Sequence, residues 1–164
     1  MSTEEHCPEC GAPVAGQRQG CQQLFDECLA RDFGDYRYAR AHRLMVDTYS
    51  LQHPSDHMRS AKSFAAHLTG MYATLERGDA PEVNHAVQVW LNGPQTMQRP
   101  DHPTPLHRGA LTILHVHEAG APDEHFARVR EWAQSVWAAW RSYEQIAATW
   151  VQAATGASRA ARNP

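Results

Sequence analysis

Apolar residues recur every three or four positions along most of the chain, which is the spacing of one face of an α-helix. Strand-like alternation occurs in TILHVHEA at 112–119, but no partner strand is evident elsewhere. With Thr112 as a cap and Gly120 as a stop, this segment is interpreted as a two-turn helix. The pattern therefore predicts an all-α fold, a helical bundle of about five helices with an N-terminal zinc-binding loop.

Capping residues, glycines and prolines set the bounds of the predicted helices. The main helices are expected at about 20–32, 35–53, 55–77, 81–91 and 122–154. Pro54 disfavours helical geometry at His53, so the second and third helices meet at a short hinge and run antiparallel. The last helix carries most of the tryptophans, which are interpreted as core.

A chain of 164 residues corresponds to one domain, here predicted over 1–154 with a disordered tail over 155–164. A net charge of −3 argues against a protein that coats nucleic acid, so nucleic-acid binding is not expected. There is no apolar run long enough to cross a membrane, and the acidic N-terminus is unlike a signal peptide. These features predict a cytoplasmic protein.

Two of the four cysteines form the turn CPECG, from Cys7 to Gly11. Thiolates at this spacing on a tight turn can both reach one tetrahedral Zn(II) ion, and the glycine lets the backbone fold back. A redox site with the same spacing would follow a strand in a βαβ unit, and no strand is predicted before Cys7. The turn is therefore interpreted as half of a zinc site.

Cys21 lies at the start of the first predicted helix, nearest to this turn, and is the predicted third ligand. Cys28 lies on the same helix face, but seven residues later, which is about 10 Å along the axis. One ion cannot reach both from a regular helix. Cys28 is accordingly interpreted as a small buried hydrophobic residue, although it stays open as an alternative ligand.

His53 is the predicted fourth ligand. If the first two helices are antiparallel, the end of the second helix lies beside the start of the first, which places His53 near the cysteines. His57 follows one turn after the hinge and is the alternative. The predicted Zn(II) ligands are thus Cys7, Cys10, Cys21 and His53, a sulfur-rich set that is typical of structural zinc.

A second group of residues is a candidate for catalysis. His42 and His67 are expected at the same level of the antiparallel pair, and Asp47 points to another side of its helix. His42 is about 16 Å from His53 along the helix axis, so the two cannot share an ion. A metalloenzyme needs an open coordination position and a general base. The candidates for its catalytic residues are His42, Asp47 and His67.

Four segments, CPECGAP, HRLMVDTYSLQHP, KSFAAHLTGMY and REWAQSVWAAW, resemble a bacterial family of uncharacterised proteins, a domain of unknown function. The resemblance extends from Cys7 to about Trp150. It implies that the CxxC turn, His53 and His67 belong to a shared site, and it implies no substrate. The chain also resembles, more weakly, the DinB-like helical metalloproteins in size and number of helices, although their paired histidines on one helix are absent.

Two hypotheses follow from these patterns. The first is a zinc-binding helical protein whose ion is structural and is held by three cysteines and one histidine. The alternative is a DinB-like metal-dependent enzyme, a hydrolase or thiol transferase, that uses the inner-face histidines. Neither hypothesis specifies a binding partner, and a homo-oligomer is compatible with the sequence.

Overall fold

Eight α-helices account for most of the residues that the computed structural model describes, which are 5–101, 103–105 and 108–163. They are α1 (Gln17–Gly34), α2 (His42–Gln52), α3 (Pro54–His57), α4 (Ala61–Glu76), α5 (Pro81–Asn92), α6 (Ile113–His117), α7 (Pro122–Ala139) and α8 (Glu144–Arg162), with 3-10 turns at Ala39–Ala41 and Arg141–Tyr143. The all-α class is confirmed. The expected number of about five helices is too low, because two of the predicted main helices are divided and the short helix α6 adds one more.

The second predicted helix begins later than expected. Asp35 does not open it but ends α1, since its backbone N–H donates to the carbonyl of Arg31. Its carboxylate then binds the guanidinium of Arg37, and the chain continues through a 3-10 turn before α2 starts at His42. Polar turn-forming contacts therefore replace the first two turns of the predicted helix.

The predicted third helix is divided into α3 and α4 by a break at Met58 and Arg59. Met58 leaves helical geometry, with φ −124° and ψ 41°, and its side chain is fully buried. Ser60 caps α4 by accepting a hydrogen bond from the backbone N–H of Ser63. The predicted hinge after His53 is present, and the strong contact between α2 and α4 agrees with the predicted helix pair.

The predicted final helix is also divided, at Trp140. The indole N–H of this buried residue donates to the carbonyl of Leu51, and a 3-10 turn follows. The chain can then turn so that α8 packs on α4 and α5. Helix α8 continues to Arg162 through most of the segment that was expected to be a disordered tail. Five alanines after position 150, which favour helix, and the packing of Ala154 beside Val83 account for the extension.

Helix α2 lies at the centre of the fold, since it packs against α4 and α7 and also contacts α1 and α3. Trp132, Trp137 and Trp140 are fully buried, so the interpretation of these tryptophans of the predicted final helix as core is correct. The indole N–H of Trp132 donates to the side-chain oxygen of Gln52, and this buried hydrogen bond joins α7 to the last residue of α2. The end of α2, where His53 lies, is thereby held in place.

The short helix α6 is confirmed where the sequence was ambiguous. His115 and His117 face different neighbours, Glu131 on α7 and Glu27 on α1. They therefore do not form a paired ligand set. None of the helices in the described ranges is both long enough and apolar enough to cross a membrane.

Candidate metal centre

The N-terminal loop folds into a tight turn around its two cysteines. The backbone N–H of Gly11 donates to the carbonyl of Cys7, and the N–H of Cys7 donates to the carbonyl of Ala12. Gly11 has φ +77°, a conformation that residues with a side chain rarely adopt. This glycine therefore lets the chain reverse directly after Cys10, as the sequence predicted.

Cys21 reaches the same place from α1. Gly16 precedes this helix, and its backbone is also in the left-handed conformation, with φ +77°. Cys21 follows about one turn after the helix begins. Its side chain is fully buried. A residue in the first turns of α1 thus faces back toward the loop that precedes the helix.

His53 approaches from the end of α2. Its backbone N–H still donates to the carbonyls of Tyr49 and Ser50, but its own geometry, φ −124° and ψ 54°, is no longer helical. This departure agrees with the restriction that Pro54 imposes on the residue before it. The imidazole is almost completely buried.

The ligand atoms of Cys7, Cys10, Cys21 and His53 all lie within 4.8 Å of one another. The Nε2 atom of His53 is 3.6 Å from the Sγ of Cys7 and 3.4 Å from that of Cys21, while the Sγ atoms of Cys10 and Cys21 are 3.7 Å apart. A tetrahedral zinc ion with bonds of about 2.3 Å to sulfur and 2.0 Å to nitrogen requires edges of about 3.8 Å and 3.5 Å. The separations therefore fit a tetrahedral ion and are far too long for a disulfide.

The orientation of the His53 ring favours metal binding. Its Nδ1 atom lies 2.8 Å from the carbonyl of Tyr49, and a carbonyl can only accept a hydrogen bond. Nδ1 must therefore carry a proton, which in the neutral ring leaves the lone pair on Nε2, the nitrogen that faces the thiols. A backbone carbonyl on the second nitrogen is a common means of orienting a metal-binding histidine.

The thiols and the imidazole of the cluster shift one another's pKa values. Hydrogen bonds with Cys10 and Cys21 hold the pKa of the Cys7 thiol well below its usual range, whereas hydrogen bonds with Cys10 and Cys7 raise the pKa of Cys21. Burial alone would lower the pKa of His53, but hydrogen bonds to Cys10 and Cys7 outweigh it and raise the pKa to about 9. One thiolate is stabilised easily, and further thiolates require a positive ion among them.

Aromatic rings close one side of the cluster. The ring of Tyr49 stacks on that of His53 at 3.9 Å between centroids, and Phe25 stacks on the opposite face of Tyr49 at the same distance. The Tyr49 hydroxyl lies 3.8 Å from the Sγ of Cys21, and burial, followed by the nearby Cys21, raises the pKa of this hydroxyl. The cluster therefore faces apolar side chains rather than an open cleft on this side.

The two alternative ligands lie outside the cluster. Cys28 is buried, and burial raises the pKa of its thiol to about 11, so it stays a neutral core residue. The His57 ring packs edge-on against Tyr49 at 5.3 Å, and burial, followed by the charges of His53 and His67, lowers its pKa. The structure therefore groups His53, and neither of these residues, with the three cysteines.

A second set of contacts that sequence reasoning missed holds the same loop. Glu9, between the two cysteines, is almost buried, and its carboxylate pairs with Arg108 at 3.0 Å and Arg18 at 3.1 Å. Arg108 also donates to the carbonyls of Glu9 and Gln52. The loop is thus tied to α1, to the end of α2 and to the segment before α6. Only the position of an acid inside the CxxC turn signals this role in the sequence.

The catalytic candidates divide into two separate pairs. Asp47 is buried between α2 and α4, and its Oδ1 lies 2.9 Å from the Nδ1 of His67. Burial raises the pKa of Asp47, although the bond to His67 partly opposes this effect. His42 instead faces Asp32 on α1, with 3.1 Å between Nδ1 and Oδ2. The expected approach of His42 to His67 is replaced by separate carboxylate partners, because α2 presents His42 to α1 and Asp47 to α4.

The close approach of Asp47 leaves no room for a side chain at position 70, which is a glycine. A Cβ atom at this position would lie 2.2 Å from the Oδ2 of Asp47, which is held in the interface of α2 and α4. We expect Gly70→Ala to lower the free energy of unfolding by about 1–3 kcal/mol in urea denaturation, since the buried carboxylate must move. Gly156→Ala in α8 is the control, because its Cβ meets no atom within 4 Å. Equal stability of the two variants would contradict the expectation.

A further buried pair involves residues that the sequence analysis did not select. His125 on α7 is fully buried, and its Nε2 lies 3.3 Å from the Oδ1 of Asp32. The geometry of these two atoms does not meet that of a hydrogen bond. Asp32 therefore lies between His42 and His125. Both residues continue apolar stripes: Asp32 follows Cys28 by four positions, and His125 precedes Val129 by four. A polar residue in line with such a stripe was the available signal.

The model of a family of unknown function, DUF5946, matches residues 5–141. The chain belongs to this family. The match includes all four residues of the cluster and ends within the turn before α8. No curated protein and no solved structure matches the chain. The predicted membership in a family of unknown function is thereby confirmed, and the resemblance to DinB-like proteins stays a prediction.

Proposed function

We propose that Cys7, Cys10, Cys21 and His53 bind one Zn(II) ion, and that the ion is structural. The observation that carries this proposal is the convergence of three cysteine sulfurs and one imidazole nitrogen within 4.8 Å of one another, at separations that fit tetrahedral coordination. Three thiolates and an imidazole in tetrahedral geometry favour zinc over the hard, oxygen-preferring ions.

The position of the ligands in the chain supports a structural role. Two are in the N-terminal loop, one is on α1 and one ends α2. An ion bound to all four would join the N-terminal loop, α1 and the end of α2, and would add to the contacts that Glu9 makes between the same segments. Four protein ligands fill all the positions of a tetrahedral ion. No coordination position is then left for substrate or water, whereas a catalytic zinc requires such a position.

The metal content of purified protein tests this proposal. Elemental analysis is expected to find about one zinc per chain, and a chelator should make three thiols newly reactive. Cys10→Ser is expected to lose most of the zinc. Cys28→Ser is the matched control, a buried cysteine of the same chain outside the cluster, and should keep the full content. A Cys10→Ser variant with unchanged zinc would exclude the proposed ligand set.

A further inference from the structure

A cavity of about 420 Å³ lies beside the metal centre, between α3 and the segment that links α5 to α6. It begins at the residue after His53. Its lining consists of Pro54, Ser55, Met58, Arg59, Arg99, Thr104 and Arg108. Three of these seven residues are arginines, and no acidic residue is among them.

Arg108 is held rigidly at one wall of this cavity. Only 13% of its side chain is exposed, and its Nη1 atom donates to two backbone carbonyls and to the carboxylate of Glu9. Its Nε atom donates to the carbonyl of Pro105. Within the described ranges no acceptor is bound to Nη2. One edge of an otherwise fixed guanidinium is thus available to a ligand without further ordering of the side chain.

Arg99 is positioned by an aromatic ring and a carbonyl rather than by an acid. Its guanidinium lies 4.9 Å from the ring centroid of Phe64, and its Nη1 donates to the carbonyl of Met58. Among the described residues it pairs with no carboxylate. Arg59 is likewise weakly neutralised, since its contact with Asp56 is 3.6 Å long.

The local charge is opposite to that of the whole chain. Four arginines, Arg18, Arg59, Arg99 and Arg108, surround two carboxylates, those of Glu9 and Asp56. The formal charges of these six side chains add up to about +2, whereas the net charge of the whole protein is −3. Arginines that converge on a concave surface, and that are not neutralised there, attract an anion.

We propose that this cavity binds a small molecule that carries a phosphate or carboxylate group. Arginine offers paired N–H donors that match both groups, and the hydroxyl of Thr104 adds a further donor at the same wall. The hydroxyl of Ser55 already donates to the carboxylate of Glu9. Pro54 and Met58 lie behind this wall as buried residues, so the accessible surface of the cavity belongs mainly to its polar side chains. The size of the cavity and the negative charge of the chain favour a small ligand over a nucleic acid.

Isothermal titration calorimetry on the full zinc-loaded chain, in HEPES at low salt, tests this proposal. Phenyl phosphate and succinate are the two probes, and the one that binds more tightly identifies the preferred anionic group. Arg99→Gln is expected to weaken the tighter probe about tenfold, the loss of one charged donor pair. Arg159→Gln removes an exposed arginine of α8 and should leave binding unchanged.

Four results would overturn the proposal. The first is that neither probe binds, and the second is that Arg99→Gln and Arg159→Gln both bind as wild type does. The third is that both variants weaken binding equally, which indicates attraction to overall charge. The fourth is tighter binding of a short single-stranded oligonucleotide than of phenyl phosphate, which rejects a small ligand. Zinc content measured on the same samples separates these outcomes from a failure of the metal site, since the cavity residues are not ligands.

Discussion

Replacing His53 by alanine is expected to remove the metal and to lower the melting temperature by about 10 °C. A metal at about 1,000 times its dissociation constant stabilises the native state by about 4 kcal/mol. Each kcal/mol corresponds to about 2–4 °C for a protein of 150–250 residues. His53 supplies the only nitrogen of the described cluster and joins it to the end of α2. Scanning calorimetry with and without a chelator measures the effect.

The chelator makes this experiment decisive. If the effect arises from the ion, wild type and His53→Ala should melt at similar temperatures once the metal has been removed. The control is His57→Ala, which removes a neighbouring histidine that also packs against Tyr49 but lies outside the cluster. This variant should keep its zinc and its response to the chelator. A His53→Ala variant that keeps the chelator response of wild type would show that His53 is not a ligand.

Replacing Asp32 by alanine is expected to cost about 3–5 kcal/mol of unfolding free energy, the usual effect of removing one partner of a buried ion pair. The Asp32 side chain is 1% exposed and lies 3.1 Å from His42 and 3.3 Å from His125. Without the carboxylate, the fully buried imidazole of His125 has no charged partner. Urea denaturation followed by tryptophan fluorescence measures the loss.

The matched control is Asp35→Ala at the end of the same helix. Asp35 pairs with the exposed Arg37, and surface ion pairs of this kind contribute about 0–1 kcal/mol. Its backbone hydrogen bond to Arg31 does not depend on the side chain. If Asp32→Ala were no less stable than Asp35→Ala, the buried pair would have no structural importance. Neither variant should change the zinc content, because both residues lie outside the cluster.

The candidate site could be predicted because its ligands obey local rules. The CxxC spacing, Gly11 and the proline after His53 are visible in a short window of sequence, and helical periodicity assigns Cys21 and Cys28 to different levels of α1. The choice of His53 over His57 needed only the assumption of antiparallel helices. In the structure His53 lies among the three cysteines, whereas the ring of His57 packs against Tyr49 outside the cluster.

Contacts between distant segments could not be predicted in the same way. The pairs Asp32–His125 and Glu9–Arg108 join residues that are 93 and 99 positions apart, and no local pattern specifies which acid meets which base. The divisions at Met58 and Trp140 also depend on tertiary contacts. Trp140 donates to a carbonyl of α2, and Met58 accepts from Arg99, so the helix breaks are stabilised by partners outside the helices.

The sequence by itself determined the all-α class, most of the helices and the four residues of the candidate metal site. These features follow from periodicity, capping and spacing, which act over a few residues. Only the tertiary structure decided how the helices divide, which carboxylate each histidine meets, and where arginines converge on a cavity. Those properties depend on which surfaces meet after the chain folds, and burial then determines which charges must be paired.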